Sequence, residues 1–270
     1  MAVRNAVEAG RGRRSSFGAR GSAFMHATCD CCAETRPPHA GRRRLLFGAA
    51  GLLAATALPN GVVRAATPMA KTSLSPADAL RLMKEGNENF RNEAPSLAAN
   101  GRERRLELAR GQAPFCVLVG CSDSRVSPEI LFGRGLGELF IVRNAGNTVD
   151  TAALGSIEYA VGVLGVPLVV VLGHQSCGAV AAAVDVVEKN ATFPGVIGEM
   201  VQPIVPAVLE ARSQGGDLLE ASVRSNARRV AKRLTTQSLV IQDALKQGKV
   251  KVVGSRYGLS DGQVEWMEDI

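Results

Sequence analysis

The chain has 270 residues, of which 46% are hydrophobic, so it is long enough to bury a large core. Its formal net charge is +7, but residues 1–66 carry 10 Lys/Arg against 3 Asp/Glu, while residues 67–270 carry 22 of each. The excess positive charge therefore lies entirely near the N-terminus. The remainder of the chain gives no electrostatic reason to expect a nucleic-acid partner.

Residues 1–66, called the leader below, have the composition of a disordered segment that ends in an export signal. Residues 1–40 are rich in Arg, Gly, Ala and Ser and show neither a helical nor a strand period. Three arginines at 42–44 precede an apolar region at 45–58, which is too short to span a membrane, and Val63-Arg64-Ala65 resembles a cleavage site. The adjacent arginines followed by two leucines resemble a twin-arginine signal.

The leader is therefore predicted to be recognised by an export machinery. The protein is predicted to be periplasmic or otherwise exported, without a stable membrane anchor. The alternative is a leader without function and a cytoplasmic protein. The cysteines of Cys29-Asp30-Cys31-Cys32 are either metal ligands or an incidental cluster lost with the leader. The true start is Met1 or Met25.

Residues 67–270, called the body below, alternate between helical and strand patterns. Ser75 and Pro76 are typical of a helix start, and Leu80, Met83 and Phe90 would face the core. Further helices are expected at 102–109, 151–164 and 176–187, within 196–233, and at 236–247. Strands are expected at 115–120, 138–142 and 168–173. A terminal hairpin is expected at 249–257 and 263–266. This order predicts an α/β fold with a mainly parallel central sheet flanked by helices.

Chemistry-bearing residues follow two of the predicted strands. Cys121 comes directly after one buried apolar run, and His174 and Cys177 come directly after another. The carboxyl ends of parallel strands meet at one edge of a sheet, so these three side chains are expected to lie together. Thiolate and imidazole are preferred zinc ligands, and three protein ligands leave a fourth position open, as catalytic zinc sites do. The sequence therefore predicts one Zn²⁺ per chain.

Asp123 and Arg125 stand two residues apart beside the first ligand, where an arginine fork can hold a carboxylate by two hydrogen bonds. Such a carboxylate could accept a hydrogen bond from zinc-bound hydroxide, bind the zinc itself, or form a purely structural ion pair. Cys116, in mid-strand, is predicted to be a core residue. Gly146 either allows close backbone approach to the site or serves a turn. Because two thiolates donate much charge to the metal, activity is expected to be favoured by alkaline pH.

Other kinds of site do not match the sequence. The glycines at 133–137 have neither phosphate-loop nor dinucleotide-binding spacing, and no Gly-x-Ser-x-Gly motif is present. The body has three cysteines, of which Cys121 and Cys177 are 56 residues apart without a Cys-x-x-Cys motif, so neither a disulfide framework nor a redox role is favoured.

The run Cys-Ser-Asp-Ser-Arg at 121–125 followed by His-x-x-Cys at 174–177 resembles the β-class carbonic anhydrases. The resemblance covers residues 74–267 and includes the segments at 85–87, 142–147, 156–160 and 252–254. It implies that Cys121, His174 and Cys177 hold zinc and that Asp123 and Arg125 form the catalytic dyad. The reaction implied is reversible hydration of carbon dioxide to bicarbonate and a proton by zinc-bound hydroxide.

The resemblance also implies a substrate pocket and an assembly. Gln112, Phe140 and Tyr159 match the family's polar and aromatic pocket residues, with Ala145 and Gly146 beside them. Ala145 stands where some members carry a larger apolar residue. The family builds its site at a dimer interface, which implies a homodimer or a higher even oligomer. Gln112 argues against the subtype with a regulatory bicarbonate site.

Two other functions are compatible with the same motifs. One is hydrolysis of a related heteroallene, carbonyl sulfide or carbon disulfide. The other is a zinc-binding module without catalysis, which would need the open zinc position to be blocked. The body has no second histidine to carry protons, so turnover should depend on buffer, water chains, a carboxylate or Tyr159.

Overall fold

The computed structural model describes residues 71–96 and 98–270. The predictions made for the leader, including the arginines at 42–44, the apolar region at 45–58 and the three leader cysteines, lie outside these residues. Among the helices that the model describes, none combines the length and the apolar character needed to cross a membrane.

A five-stranded sheet forms the centre of the fold. Its order is β2-β1-β3-β4-β5, in which the first four strands run parallel and β5 is antiparallel at the edge. The strands are β1 (Cys116–Gly120), β2 (Leu139–Arg143), β3 (Leu168–His174), β4 (Lys251–Tyr257) and β5 (Val264–Met267). The predicted α/β fold with a mainly parallel sheet and a terminal hairpin is confirmed.

Helices connect the strands and cover both faces of the sheet. Each α-helix is numbered here in chain order: α1 (Pro76–Arg91), α2 (Arg102–Leu108), α3 (Pro128–Leu131), α4 (Thr151–Glu158), α5 (Gly178–Lys189), α6 (Ile197–Val201), α7 (Val205–Ala211), α8 (Leu218–Gln237) and α9 (Leu239–Lys246). Helix α4 continues as a π-helical segment, Tyr159–Leu164, so the helix predicted for 151–164 changes its winding at Tyr159. The region 196–233 is divided into α6, a 3₁₀ turn that contains Pro203, α7 with Pro206 in its first turn, and α8.

The strands alternate their side chains between two apolar cores, which is why their sequences are almost uniformly apolar. Val117, Val119 and Val169 face α4 and α8, whereas Cys116 and Leu118 face α1. Helix α1 begins as predicted, because Ser75 Oγ accepts a hydrogen bond from the backbone N–H of Asp78 at 3.1 Å. Burial of both faces fixes the sheet, and the sheet in turn fixes where the strand ends lie.

The register of the central strands brings the predicted metal ligands to one edge. Gly120, the last residue of β1, pairs with Leu172 of the neighbouring β3. Cys121 therefore leaves β1 beside the end of β3, where His174 is the final residue. A third apolar cluster, formed mainly by side chains of α5, α7 and α8, packs around Cys121 and Cys177. The ligands therefore lie in a mostly apolar environment.

Candidate metal centre

Three backbone features deliver the three predicted ligands. Cys121 follows β1, His174 ends β3, and Cys177 is the N-cap residue of α5. The helix predicted at 176–187 is α5 at Gly178–Lys189, with Cys177 directly before its first residue. All three side chains are buried, and their potential ligand atoms lie within 4.8 Å of one another. The structure therefore brings together the cluster that the motifs predicted.

The spacing of the two sulfurs suits a tetrahedral zinc ion. Cys121 Sγ and Cys177 Sγ are 3.9 Å apart, and neither forms a disulfide. Zinc–sulfur bonds of about 2.3 Å at a tetrahedral angle separate two sulfurs by roughly 3.8 Å. Cys116, by contrast, is fully buried in the core below α1, as expected, and burial raises the pKa of its thiol far above the ordinary value.

His174 is prepared to present one nitrogen to a cation. Its Nδ1 lies 2.9 Å from the carbonyl oxygen of Gln175, so Nδ1 carries the proton and donates it there. Its Nε2 is buried and, within residues 71–96 and 98–270, has no hydrogen-bond partner. A buried polar atom without a partner is costly. A metal ion held jointly with the two cysteines would satisfy it, so the residues present fit zinc.

The thiols of Cys121 and Cys177 lie close enough to change each other's pKa. The hydrogen bond between the two thiols lowers the pKa of Cys121 well below its ordinary value, against the opposing effect of burial. The backbone N–H of Gly146, 3.3 Å from Cys121 Sγ, contributes in the same direction. The neighbouring Cys121 raises the pKa of Cys177 correspondingly. A thiolate is therefore already favoured at Cys121, and thiolate is the form that binds zinc.

Asp123 and Arg125 form the two-point ion pair that their spacing predicted. Arg125 donates from Nε to Oδ1 at 2.9 Å and from Nη2 to Oδ2 at 2.7 Å, and its backbone N–H donates to Oδ1 at 2.9 Å. These hydrogen bonds hold the pKa of Asp123 far below its usual range. Oδ2 lies 3.8 Å from His174 Nε2, which places the ionised carboxylate beside the metal ligands.

Two contacts hold the loop after β1 against its neighbours. Arg143, at the end of β2, donates to the carbonyl oxygens of Cys121 and Asp123, both at 2.7 Å.

Gly146 has a left-handed backbone (φ 66°), and a Cβ there would lie 2.6 Å from Ile204 Cδ1. Both roles proposed for Gly146, close approach and turn geometry, therefore coincide at this residue.

The remaining predicted pocket residues lie on other parts of the fold. Gln112 precedes β1, and Phe140 lies in the edge strand β2. Tyr159 is the first residue of the π-helical segment after α4, and 44% of its surface is exposed. Ala145 adjoins Gly146 in a short 3₁₀ turn. Among the described residues of this single chain, no hydrogen bond joins Gln112, Phe140 or Tyr159 to the metal ligands or to Asp123. The role predicted for them stays a prediction.

Some residues that support the site were not assigned a role from the sequence. Arg143 lies within the segment 142–147 that contributes to the family resemblance, but no local pattern indicates that its guanidinium reaches back to the carbonyl oxygen of Cys121. Asn226, whose Nδ2 donates to the carbonyl oxygen of Gly146 at 2.9 Å, lies 80 residues away. Glu220 of α8 accepts from the backbone N–H of Ser176 at 3.1 Å. Contacts over such separations leave no period or spacing that could have indicated them.

Comparison with known proteins agrees with this geometry. Residues 116–264 match the family model described as carbonic anhydrase. The chain is 41% identical over 191 residues to a carbonic anhydrase of Mycolicibacterium smegmatis, covering 71% of this chain and 93% of that protein. It is 41% identical over 189 residues to carbonic anhydrase 2 of Mycobacterium tuberculosis, covering 70% and 91%.

Solved structures of β-carbonic anhydrases share the fold. The β-carbonic anhydrase CcaA superposes with a TM-score of 0.55 at 28% identity, covering 70% of this chain and 87% of that one. The β-carbonic anhydrase CafA of Aspergillus fumigatus superposes with a TM-score of 0.54 at 29% identity, covering 71% and 90%.

Proposed function

Because the chain belongs to the β-class carbonic anhydrases, it catalyses the reversible hydration of carbon dioxide to bicarbonate and a proton, and we propose that the Asp123–Arg125 pair is its catalytic dyad. Cys121, His174 and Cys177 hold the zinc ion. When bound there, zinc supplies the Lewis acidity that makes water nucleophilic near neutral pH. The observation that supports the dyad is the two-point ion pair beside the ligands.

Each member of the dyad has a distinct task. Arg125 keeps Asp123 ionised and fixes the plane of its carboxylate, since both carboxylate oxygens accept from the same guanidinium. The ionised Asp123 accepts a hydrogen bond from the reacting water. This bond orients the lone pairs of the water oxygen towards carbon dioxide. A carboxylate in this state cannot donate a proton, so the product proton leaves by buffer, water or another side chain.

A substitution that changes charge but not shape tests the dyad. Asp123→Asn in the full chain should retain one zinc per chain and lose about 100-fold or more in kcat/KM for carbon dioxide hydration. Asp269→Asn is the matched control, because Asp269 also pairs with an arginine, Arg228, but at an exposed position outside the ligand cluster. Stopped-flow hydration assays and zinc analysis on the same samples give both quantities. Full activity in Asp123→Asn would refute the dyad.

The pocket residues support a further proposal, that the working enzyme is a homodimer or a multiple of dimers. Phe140 lies on an edge strand whose outer side has no partner strand among the described residues, and Tyr159 is substantially exposed. Light scattering coupled to gel filtration should give at least twice the chain mass. In a dimer, Gln112→Ala should raise KM more than it lowers kcat. A fully active monomer would refute the proposal.

The leader supports export as a folded protein by a twin-arginine route. This route would suit an enzyme that must acquire zinc before it leaves the cytoplasm. In a Gram-negative host, the wild-type chain should yield processed protein in the periplasm, and sequencing of its N-terminus should locate cleavage near residue 66. Replacing Arg43 and Arg44 by Lys should leave the protein uncleaved in the cytosol. Equal periplasmic yield of the two forms would exclude the twin-arginine route.

A further inference from the structure

The turn between His174 and Cys177 is an unfavourable piece of backbone that carries two metal ligands. Ser176, in its middle, has φ 53°, in the left-handed region that residues with a side chain seldom adopt. Such a conformation persists only where the surroundings fix it. The contacts made by Gln175 and Ser176 therefore decide where both ligands lie.

The turn is held from two sides. The backbone N–H of Gln175 donates to the carbonyl oxygen of Tyr257 at 2.8 Å, and Gln175 Oε1 accepts from the backbone N–H of Leu259 at 2.9 Å. These two bonds tie Gln175 to the end of β4. On the other side, the backbone N–H of Ser176 donates to Glu220 Oε1 at 3.1 Å. Glu220 thus binds the residue that has the unfavourable backbone.

Glu220 is itself fixed by an arginine of the sheet. Arg256 of β4 donates to Glu220 Oε2 from both Nε, at 3.0 Å, and Nη2. The two side chains are only 13% and 17% exposed, so solvent does little to loosen the pair. Glu220 also lies in the first turn of α8, where the helix dipole favours a negative charge. The carboxylate oxygen that faces Ser176 therefore has a defined position.

The same Ser176 also contacts the proposed dyad. Its carbonyl oxygen accepts from Arg125 Nη2 at 3.3 Å, the nitrogen that also donates to Asp123 Oδ2. A continuous series of hydrogen bonds thus runs from Arg256 through Glu220 and Ser176 to Arg125 and Asp123. Arg125 is itself 51% exposed, so the carbonyl of Ser176 supplies one of the few restraints on its guanidinium.

We propose that Glu220, held by Arg256, is a positioning residue for carbon dioxide hydration, because it fixes the Ser176 turn that orients Arg125. This inference rests on the proposed role of the Asp123–Arg125 dyad. Glu220 touches neither the metal ligands' donor atoms nor the reacting water. It acts through the backbone of Ser176, in the manner of groups that orient the ligands of a metal site from outside it.

The first test compares, in the full chain, Glu220 of α8 with a second glutamate that pairs with an arginine. Glu220→Ala should lower kcat/KM about tenfold to 100-fold at saturating zinc and should also weaken zinc binding, measured by competition with a chromogenic chelator, about tenfold. Glu265→Ala is the matched control, because Glu265 of strand β5 pairs with Arg224 of α8 without touching the turn. It should change neither quantity. Unchanged activity at saturating zinc in Glu220→Ala would overturn the proposal.

A second variant separates positioning from folding. In the wild type, one carboxylate oxygen of Glu220 accepts from Ser176 and the other accepts from Arg256. Glu220→Gln keeps one oxygen, which can accept a hydrogen bond from only one of these two partners in the same way. Its activity should therefore lie between those of the wild type and Glu220→Ala, with circular dichroism and melting temperature close to those of the wild type. Wild-type activity in a folded Glu220→Gln, together with an unfolded Glu220→Ala, would show a purely structural role and overturn the proposal.

A double-mutant cycle distinguishes failure of this inference from failure of the dyad. If Glu220 acts through Arg125, adding Glu220→Ala to Arg125→Ala should cause less than about a twofold further loss at saturating zinc, far less than it causes alone. Fully additive losses would overturn the proposal while leaving the dyad intact. Wild-type activity in Arg125→Ala alone would refute the dyad itself, and the inference with it.

Discussion

At the scale of single residues, the charge state of Asp123 determines what the dyad can do. Arg125 holds the pKa of this carboxyl far below the ordinary value of 3.8, and it does so chiefly by direct hydrogen bonds to both oxygens. Partial burial opposes the effect and would raise the pKa if Arg125 were absent. The carboxylate is therefore ionised throughout the pH range in which the enzyme would work.

This leads to a prediction on pH dependence. Arg125→Ala removes the main cause of the lowered pKa and leaves the opposing effect of partial burial, so the pKa of Asp123 should rise to its ordinary value of 3.8 or somewhat above it, still below pH 7. Asp123 should stay ionised, and the activity lost should reflect a misoriented carboxylate rather than a neutral one. The ratio of wild-type to variant kcat/KM should therefore be the same at pH 7 and pH 9. A ratio that is much larger at pH 7 would mean that Asp123 takes up a proton near neutrality.

The residue scale also shows what the sequence could predict of the site. Cys121, His174 and Cys177 were predictable because each follows an apolar run, and strand ends converge at one sheet edge. Asp123 and Arg125 were predictable as a pair because they stand two residues apart. Glu220 and Arg256 were not predictable, since they are 36 residues apart and meet only after α8 has packed on the sheet. Ser176, to which Glu220 is bound, has a left-handed backbone that no local sequence pattern indicates.

At the scale of elements, the short turn after β2 connects the metal site to two helices. Gly146 donates its N–H to Cys121 Sγ, and its carbonyl accepts from Asn226 of α8. A Cβ at this position would lie 2.6 Å from Ile204 Cδ1 and 3.1 Å from the Cβ of Ala179 at the start of α5. Its left-handed backbone adds a second reason why only glycine fits.

Gly146→Ala should therefore destabilise the protein and loosen the metal site together. The left-handed backbone costs about 1–2 kcal/mol for a residue with a side chain, and overpacking against two neighbours adds about 1–3 kcal/mol. The free energy of unfolding, measured by urea denaturation, should fall by about 2–5 kcal/mol. Zinc affinity should fall as well, because the N–H that supports Cys121 moves.

A second glycine isolates the effect of packing. Gly133 also has a left-handed backbone (φ 57°), but a Cβ there would meet nothing within 4 Å. Gly133→Ala should therefore cost only the backbone strain of about 1–2 kcal/mol and leave zinc affinity unchanged. Equal destabilisation in both variants would show that the neighbours of Gly146 yield to the added methyl group.

The elements themselves were predictable to different degrees. The strands of the parallel sheet were indicated by short apolar runs, and α1 by Ser75 and Pro76, because these signals are local. The change of α4 into a π-helical segment at Tyr159 had no such signal, and neither did the short helix α3 between Pro128 and Leu131. Their form depends on packing against other elements, which a single sequence pattern does not contain.

At the scale of the whole molecule, the leader and the body differ in net charge. The full chain has a formal net charge of +7 and a sequence pI of about 9.4, whereas residues 67–270 carry equal numbers of basic and acidic residues. An anionic partner would therefore be attracted by the leader and not by the catalytic part. The order of the charges along the chain was fully readable from the sequence, since it needs no fold.

Removal of the leader near residue 66 should therefore change the electrostatic behaviour of the protein and leave its catalysis intact. Isoelectric focusing should place the processed form near neutrality, roughly two pH units below the precursor, whose sequence pI is about 9.4. The precursor should bind an immobilised polyanion such as heparin at low salt and be released as salt screens the charge, whereas the processed form should pass through. Both forms should show the same kcat/KM per zinc, because the ligands and the dyad lie between Cys121 and Cys177. Retention of the processed form on the polyanion would show that residues 67–270 themselves present a basic surface. A change in kcat/KM on processing would show that the leader influences the metal site.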